Sequence, residues 1–303
     1  MNLRYTTTGH WFKGNTHIHS TASDGGKNFS ELAELYASAG YDFLFRTDHW
    51  VASDTAQDTA SYPLLWMDGI ELDGRDHTGS IFHVACLGRI EGICRDAGFE
   101  AGLRVAKEQD AITILAHPHW CGNSLEDGLR WEFGGVEVYN HVCHWLNGKS
   151  GGLVHWDAML MRDPRTLAFA VDDAHLRPAH PGWNGGWIVV NAPECRTGSI
   201  MDSIRQGNFY ASCGPEIRTI EIVDGQLNVE TSPVRFARLV GPRSSGMRLG
   251  SFGGEPMQTL KFTIPCGWEY AYLELEDTEG RRAWTNALFT NDESAGIPRT
   301  DTV

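Results

Sequence analysis

Through its first two-thirds this chain repeats one arrangement, a short apolar run that ends in histidine or a carboxylate. Trp11 to His17 reads as a strand running into His17-Ile18-His19, and Tyr41 to Phe45 as one running into Arg46-Thr47-Asp48-His49. Ala111 to Ala116 leads into His117-Pro118-His119, and Leu167 to Val171 into Asp172-Asp173-Ala174-His175. Gly69 to Leu72, Ile81 to Leu87 and Val136 to Tyr139 are further short strands, the first two carrying Glu71 and His83. Helical patterns fall between them. Asn28 offers an N-cap with Glu31 three residues on, Leu32, Leu35, Tyr36 and Ala39 form an apolar stripe, and Gly40 follows the helix end. Phe99 to Gln109 is a second helix. Ser199 to Gln206 is a third, opened by Ser199 and Asp202 as a capping box and stopped by Gly207. Strands alternating with helices predict parallel βα units, arranged as an open sheet or a barrel.

From about Pro215 the pattern changes. Ile220 and Ile222, then Leu227 and Val229, alternate on either side of Asp224-Gly225, a hairpin signal. Leu260, Phe262 and Ile264 alternate again, as does the run Tyr270 to Leu275. The expected division is residues 1–214 as a hydrolase domain and residues 215–303 as a small antiparallel, β-sandwich-like domain.

Where the metal-type residues fall narrows the function. In parallel βα architectures the strand ends converge on one face, so side chains distant in sequence can meet there. Successive residues of an extended segment point to opposite sides, so His17 and His19 share one side, as do Asp173 and His175. A single histidine at a strand end is more often a packing or surface residue than a ligand. The joint occurrence of these pairs with His49, Glu71, His83 and His117 is what points to metal. Carboxylates mixed with histidines suit Zn, Mn or Fe(II) better than Ca or Mg.

The 303 residues carry a formal net charge of -14. That balance excludes an extended nucleic-acid track, which needs clustered Lys and Arg, but leaves room for a small anionic substrate whose charge bound cations would meet. Seven cysteines without a C-x-x-C suggest neither a disulfide framework nor a zinc ribbon. Without a signal-like apolar stretch at the start or a run long enough to span a bilayer, the expectation is a cytoplasmic protein with no membrane partner. Oligomeric state is left open.

These motifs resemble the PHP (polymerase and histidinol phosphatase) superfamily. Asn15 to Gly25 is similar to its opening motif, Arg46 to His49 to its second, Ala116-His117-Pro118 to its third and Asp173-Ala174-His175 to its last, with Gly69-Ile70-Glu71 matching its metal-bridging glutamate. The resemblance covers roughly residues 11 to 212 and implies a distorted (β/α)7 barrel. It implies a first metal on His17, His19, Glu71 and Asp173, and a second bridged by Glu71 and held by His83 and His117. A third would sit on Asp24, His49 and His175, giving two or three divalent ions in all. Many family members have His where Asp24 stands, and carboxylate variants of that position are compatible with two ions.

A water bridging two such ions, held by Glu71, is the nucleophile that the resemblance implies. Asp48 is expected to orient a ligand, and Arg46 either clamps substrate or pairs with a carboxylate. His119, Asn140, His141 and His144 are candidates for substrate contact. Trp50 and Trp120 follow motif residues and either wall a pocket or pack. Gly182 to Gly186 lacks the setting of a phosphate loop and reads as a turn. The leading function is hydrolysis of a small phosphoester. The alternatives are a carboxylic or carbamate ester, because Trp187 to Ile217 resembles the carbaryl-hydrolase branch, and short-oligonucleotide exonuclease action.

Overall fold

The computed structural model describes residues 3–290, a mixed α/β arrangement of three sheets. The first strand, His10–Asn15, lies parallel to Phe43–Phe45, and that strand parallel to Leu65–Met67. Gly14 is required at this pairing, because a Cβ there would stand 2.2 Å from the Phe43 ring. Trp187–Ala192 flanks the first strand antiparallel and passes the ladder to Phe209–Ser212. From there it continues through Arg282–Thr285, Tyr270–Glu276, Phe236–Val240 and Gly246–Gly250. With Phe289–Thr290 paired beside Tyr270–Glu276, these make one ten-stranded sheet among the described residues, running from the N-terminal strands into the C-terminal third of the chain.

A second sheet has five strands: Gly69–Arg75, Ile81–Leu87, Ile112–Leu115, Gly135–Asn140 and Leu167–Val171. Its last three are parallel, and the first pairings are antiparallel. Phe43, Phe45, Ile114, Phe169, Ile188 and Phe209 belong to one buried cluster that draws on both sheets. The third sheet is Ile217–Val223, Gln226–Val234 and Met257–Thr263, opened by the hairpin expected at Asp224-Gly225, where both turn residues have positive φ.

A closed (β/α)7 barrel is not seen among the described residues. Gly69–Arg75 turns directly into Ile81–Leu87 through residues 76–80, too short to hold a crossover helix. Asp76 seals that turn by accepting from Thr78 N, Thr78 Oγ1 and Ser80 N. Outside their ladders the two large sheets meet through single bridges, Ile18 with Ala174 and His49 with Glu71. Both bridges lie beside the metal-type residues.

Local signals were carried into the structure unevenly. The helix Phe29–Ser38 has the full capping box of Asn28 and Glu31. The helix expected at Ser199 instead begins at Thr197, after Arg196, so Ser199 is inside its first turn and caps nothing, while Gly207 ends it in the left-handed conformation. Short helices Pro118–Cys121, Leu125–Arg130, His141–Asn147 and Leu153–Leu160 connect the second sheet and have no counterpart in the periodicity reading. No helix among the described residues is long and apolar enough to cross a membrane.

Candidate metal centre

The strand ends deliver their side chains to one place. Glu71 stands at its centre, 1% exposed, between buried Ile70 and Leu72 of the strand Gly69–Arg75. Its Oε2 lies 3.3 Å from His17 Nε2, 3.3 Å from His19 Nε2 and 3.1 Å from His49 Nδ1. Its Oε1 lies 2.8 Å from His83 Nδ1 and 3.6 Å from His117 Nε2. One carboxylate thus addresses two sets of imidazoles with its two oxygens.

Asp173 repeats the arrangement. Its Oδ1 is 3.1 Å from His19 Nε2 and 3.5 Å from His17 Nε2, and its Oδ2 is 3.7 Å from His117 Nε2. Asp24 closes the far side, 3.5 Å from His19 Nδ1 and 3.3 Å from His175 Nε2. All nine side chains singled out in the sequence as ligands are therefore brought together. They form overlapping sets whose ligand atoms lie within 4.8 Å of one another: His17, His19 and Glu71; His49, Glu71 and His83; His17, His117 and Asp173; and His19, Asp24, His49 and His175. His49 belongs both to the Glu71 set and to the Asp24 set, a sharing that the family pattern did not imply.

The donors fit divalent cations. Buried polar atoms here lack hydrogen-bond partners, among them His19 Nδ1, His49 Nδ1, Asp24 Oδ1, Glu71 Oε2 and Asp73 Oδ1. Such atoms are costly unless something polar reaches them. His17 Nδ1 lies 2.6 Å from Glu137 Oε1, and His175 Nδ1 lies 2.8 Å from the Asp173 carbonyl. Protons on those Nδ1 atoms leave the Nε2 lone pairs facing inward, the orientation a metal ligand needs. His17 Nε2 and His19 Nε2 are 3.2 Å apart, a spacing that calls for a proton or cation between them.

Electrostatics run the same way. Burial alone would raise the Glu71 carboxyl, but His17 and His83 outweigh it and hold it well below the usual carboxylate range. Asp173 is lowered in the same manner, with His17, His19, His175 and His117 opposing its burial. Both are anionic at neutral pH. The backbone is strained at this spot too: His117 has φ 30° and Asp173 φ 54°, the left-handed region that non-glycine residues avoid.

Surrounding residues hold the ligands, and several were not foreseen. Glu137 is fully buried and accepts from His17, from the His117 backbone N–H (2.8 Å) and from Asn140 Nδ2 (2.9 Å). The signal was available: a lone carboxylate in a parallel strand otherwise buried on both faces. Asn140 also reaches Asp173 Oδ2 at 3.2 Å. Asp73 Oδ1 lies 3.0 Å from His49 Nδ1, and Cys121 Sγ lies 3.4 Å from His117 Nδ1. Asp172 accepts from the backbone N–H groups of Asn184, Gly185 and Gly186 and from the Tyr36 hydroxyl. The 182–186 turn therefore wraps a carboxylate, and Gly186 has no space for a Cβ, which would sit 2.5 Å from the Val171 carbonyl.

Three other side chains singled out in the sequence lie outside these sets, Arg46 in the carboxylate pair that was one of its two readings. The Asp48 carboxylate does not orient a histidine; its hydrogen bonds go to Ser20 N, Ser20 Oγ, Ser23 N and Ser23 Oγ, clasping the loop that carries Asp24. Arg46 is buried away from the cavity, paired with Asp58 and lying over the Phe29 ring at 4.1 Å. His119 is exposed on its short helix and does not line the cavity. For Asp48 and Arg46 a neighbour 12 or more residues away in sequence takes the group, and His119 faces outward. His141 and His144 gather around Tyr139, and Trp50 packs with its N–H on the Asp73 carbonyl.

Comparison with solved structures adds a precedent for the fold. A two-domain protein from Bacteroides vulgatus, containing a predicted PHP-like metal-dependent phosphoesterase, matches 95% of this chain and 97% of its own at 15% identity and a TM-score of 0.50. The two chains share a fold. An amidohydrolase from Chromobacterium violaceum matches 65% of each chain at 18% identity, with a TM-score of 0.24. No family model and no curated protein matches the sequence.

Proposed function

We propose that this chain is a metal-dependent hydrolase of the PHP type, a phosphoesterase acting on a small phosphorylated substrate. The observation that carries the reading is Glu71, whose two oxygens each face a separate set of histidines, the geometry of a carboxylate shared by two cations. His17, His19, Glu71 and Asp173 would hold one ion, Glu71, His83 and His117 a second, and Asp24, His49 and His175 a third. When bound, such ions lower the pKa of water and neutralise charge growing on a phosphoryl oxygen.

The chain's own residues supply the rest. Glu137, the Asp173 carbonyl and Cys121 fix the ring orientations of His17, His175 and His117. Ser20, Ser23 and Asp48 hold the loop of Asp24 in place. Arg177, beside Asp24 and lining the cavity, offers guanidinium donors to an anionic substrate. We assign these roles to residues 1–214, with residues 215–303 as a β domain of which 291–303 lie outside the described residues.

The test is a panel of p-nitrophenyl phosphate, bis-p-nitrophenyl phosphate and p-nitrophenyl acetate, offered to protein loaded in turn with Zn, Mn and Fe(II). Phosphoryl turnover that is lost in a Glu71→Gln variant is expected. Acetate turnover far above either phosphate would replace the phosphoesterase by a carboxylic-ester hydrolase.

A further inference from the structure

Metal-type side chains form only one side of the cavity, which encloses about 210 Å³. Trp120, Val142, Cys143 and Leu146 make an apolar wall, and Arg177 and His180 also line it. Trp120 stands edge-on to His83 (centroids 5.9 Å apart, 78°) and to His117 (5.3 Å, 81°), yet remains 39% exposed. Leu146 is 37% exposed. An indole wedged against two of the proposed ligands and left partly in water offers its remaining surface to whatever enters the cavity. Arg177 Nη2 is 3.2 Å from Asp24 Oδ2, and its half-exposed guanidinium keeps further donors.

Size limits the occupant. A cavity of roughly 150 Å³ accommodates benzene. About 210 Å³ takes one ring and a small head group, and a run of nucleotides would not be enclosed.

We infer that the site selects an aryl ester with a single-ring leaving group. The ring lies against Trp120 and Leu146, and the anionic head lies between the carboxylate–histidine nest and Arg177. This rests on the nest being a metal centre. In the phosphoryl case water adds at phosphorus and the bond from phosphorus to the aryl oxygen breaks. The ring leaves as a phenol carrying one proton of the water, and the other proton stays on hydrogen phosphate.

The experiment measures binding of phenylphosphonate and methylphosphonate, neither of them hydrolysable, to the metal-loaded protein by calorimetry, with metal content determined alongside. Phenylphosphonate is expected to bind about tenfold tighter or more, from ring burial and ring–indole contact. Trp120→Ala should bring the two affinities to within about threefold, Trp120→Phe should keep most of the preference, and Arg177→Met should weaken both ligands. Equal affinities in the unaltered protein, a preference that survives in Trp120→Ala, or no binding of either ligand would overturn the inference. Failure of the phosphoesterase reading looks different: phosphate esters go unhydrolysed while the phenyl preference and its loss in Trp120→Ala persist.

Discussion

Glu137 Oε1 lies 2.6 Å from His17 Nδ1, and the same carboxylate receives the backbone N–H of His117. A residue that is not itself in the nest thus sets the ring of one proposed ligand and the chain position of another. Glu137→Gln can keep an oxygen for Asn140 Nδ2 and the His117 N–H, but its N–H₂ then faces His17 Nδ1 and opposes the proton there. Metal affinity should fall about 10- to 100-fold, with about 1–3 kcal/mol lost from stability. Competition with a chelator and a thermal melt measure the two effects. Unchanged affinity would mean that Glu137 serves packing alone.

Asp24 is the position on which the proposed ion count should turn. Its side chain is 38% exposed and is shared among His19, His175 and Arg177, so it makes the loosest corner of the nest. Asp24→Ala should therefore cost one equivalent of metal and leave the ions on Glu71 in place. Elemental analysis of the purified variant reads this directly. Loss of all metal, or no loss from a three-ion protein, would contradict the assignment.

The pH dependence of stability should differ between metal-free and metal-loaded protein. Burial lowers the His49 pKa, but Asp73, Glu71 and Asp24 outweigh it and raise it to about 8 in the absence of metal. A pKa raised above the unfolded value of about 6.5 contributes stability that is fully present below pH 6.5 and lost as pH climbs through 8, about 2 kcal/mol at most. Metal binding needs neutral imidazole and so strengthens over the same interval. Tm in the presence of chelator should fall between pH 6.5 and 8.5, and the gap to the metal-loaded protein should widen. Parallel curves would refute the coupling.

Arg46 should matter for folding and not for substrate. It pairs with Asp58 through Nη1 and Nη2 and is covered by Phe29 and Trp66. Arg46→Met should lower stability by about 1–3 kcal/mol, because Asp58 loses a charged partner. KM should be unchanged once the protein is folded. A tenfold rise in KM with an unaltered Tm would restore the anion-clamp reading of this residue.

Much of the architecture could be read from residue order because it is set by local chemistry. The Asn28–Glu31 cap, the Asp224-Gly225 hairpin and the strand Leu167–Val171 each depend on neighbours within a few residues. Eight of the nine proposed ligands stood out for a related reason, since histidine and carboxylate within or at the end of successive strands are rare by chance; Asp24 entered only through the resemblance to the family's opening motif. The (β/α)7 barrel that the resemblance implied is not seen among the described residues: Gly69–Arg75 returns through residues 76–80 as the antiparallel strand Ile81–Leu87, two strands that the sequence had already placed in succession.

Only the tertiary structure decided which partners complete the site. Glu137 reads locally as one polar position in Gly-Val-Glu-Val-Tyr, and its role appears when His17, from 120 residues earlier, arrives at its oxygen. Asp73, Cys121 and Arg177 gain meaning in the same way; Arg46 takes the carboxylate-pair alternative, with Asp58, and Asp48 acts on the loop of Asp24 through Ser20 and Ser23. Nor does local sequence say that Phe209–Ser212 pairs with Arg282–Thr285, drawing distant parts of the chain into one sheet. Residue type and spacing fix what a side chain is able to do. Long-range hydrogen bonding and close packing fix which group it meets, and that information is spread over the whole chain.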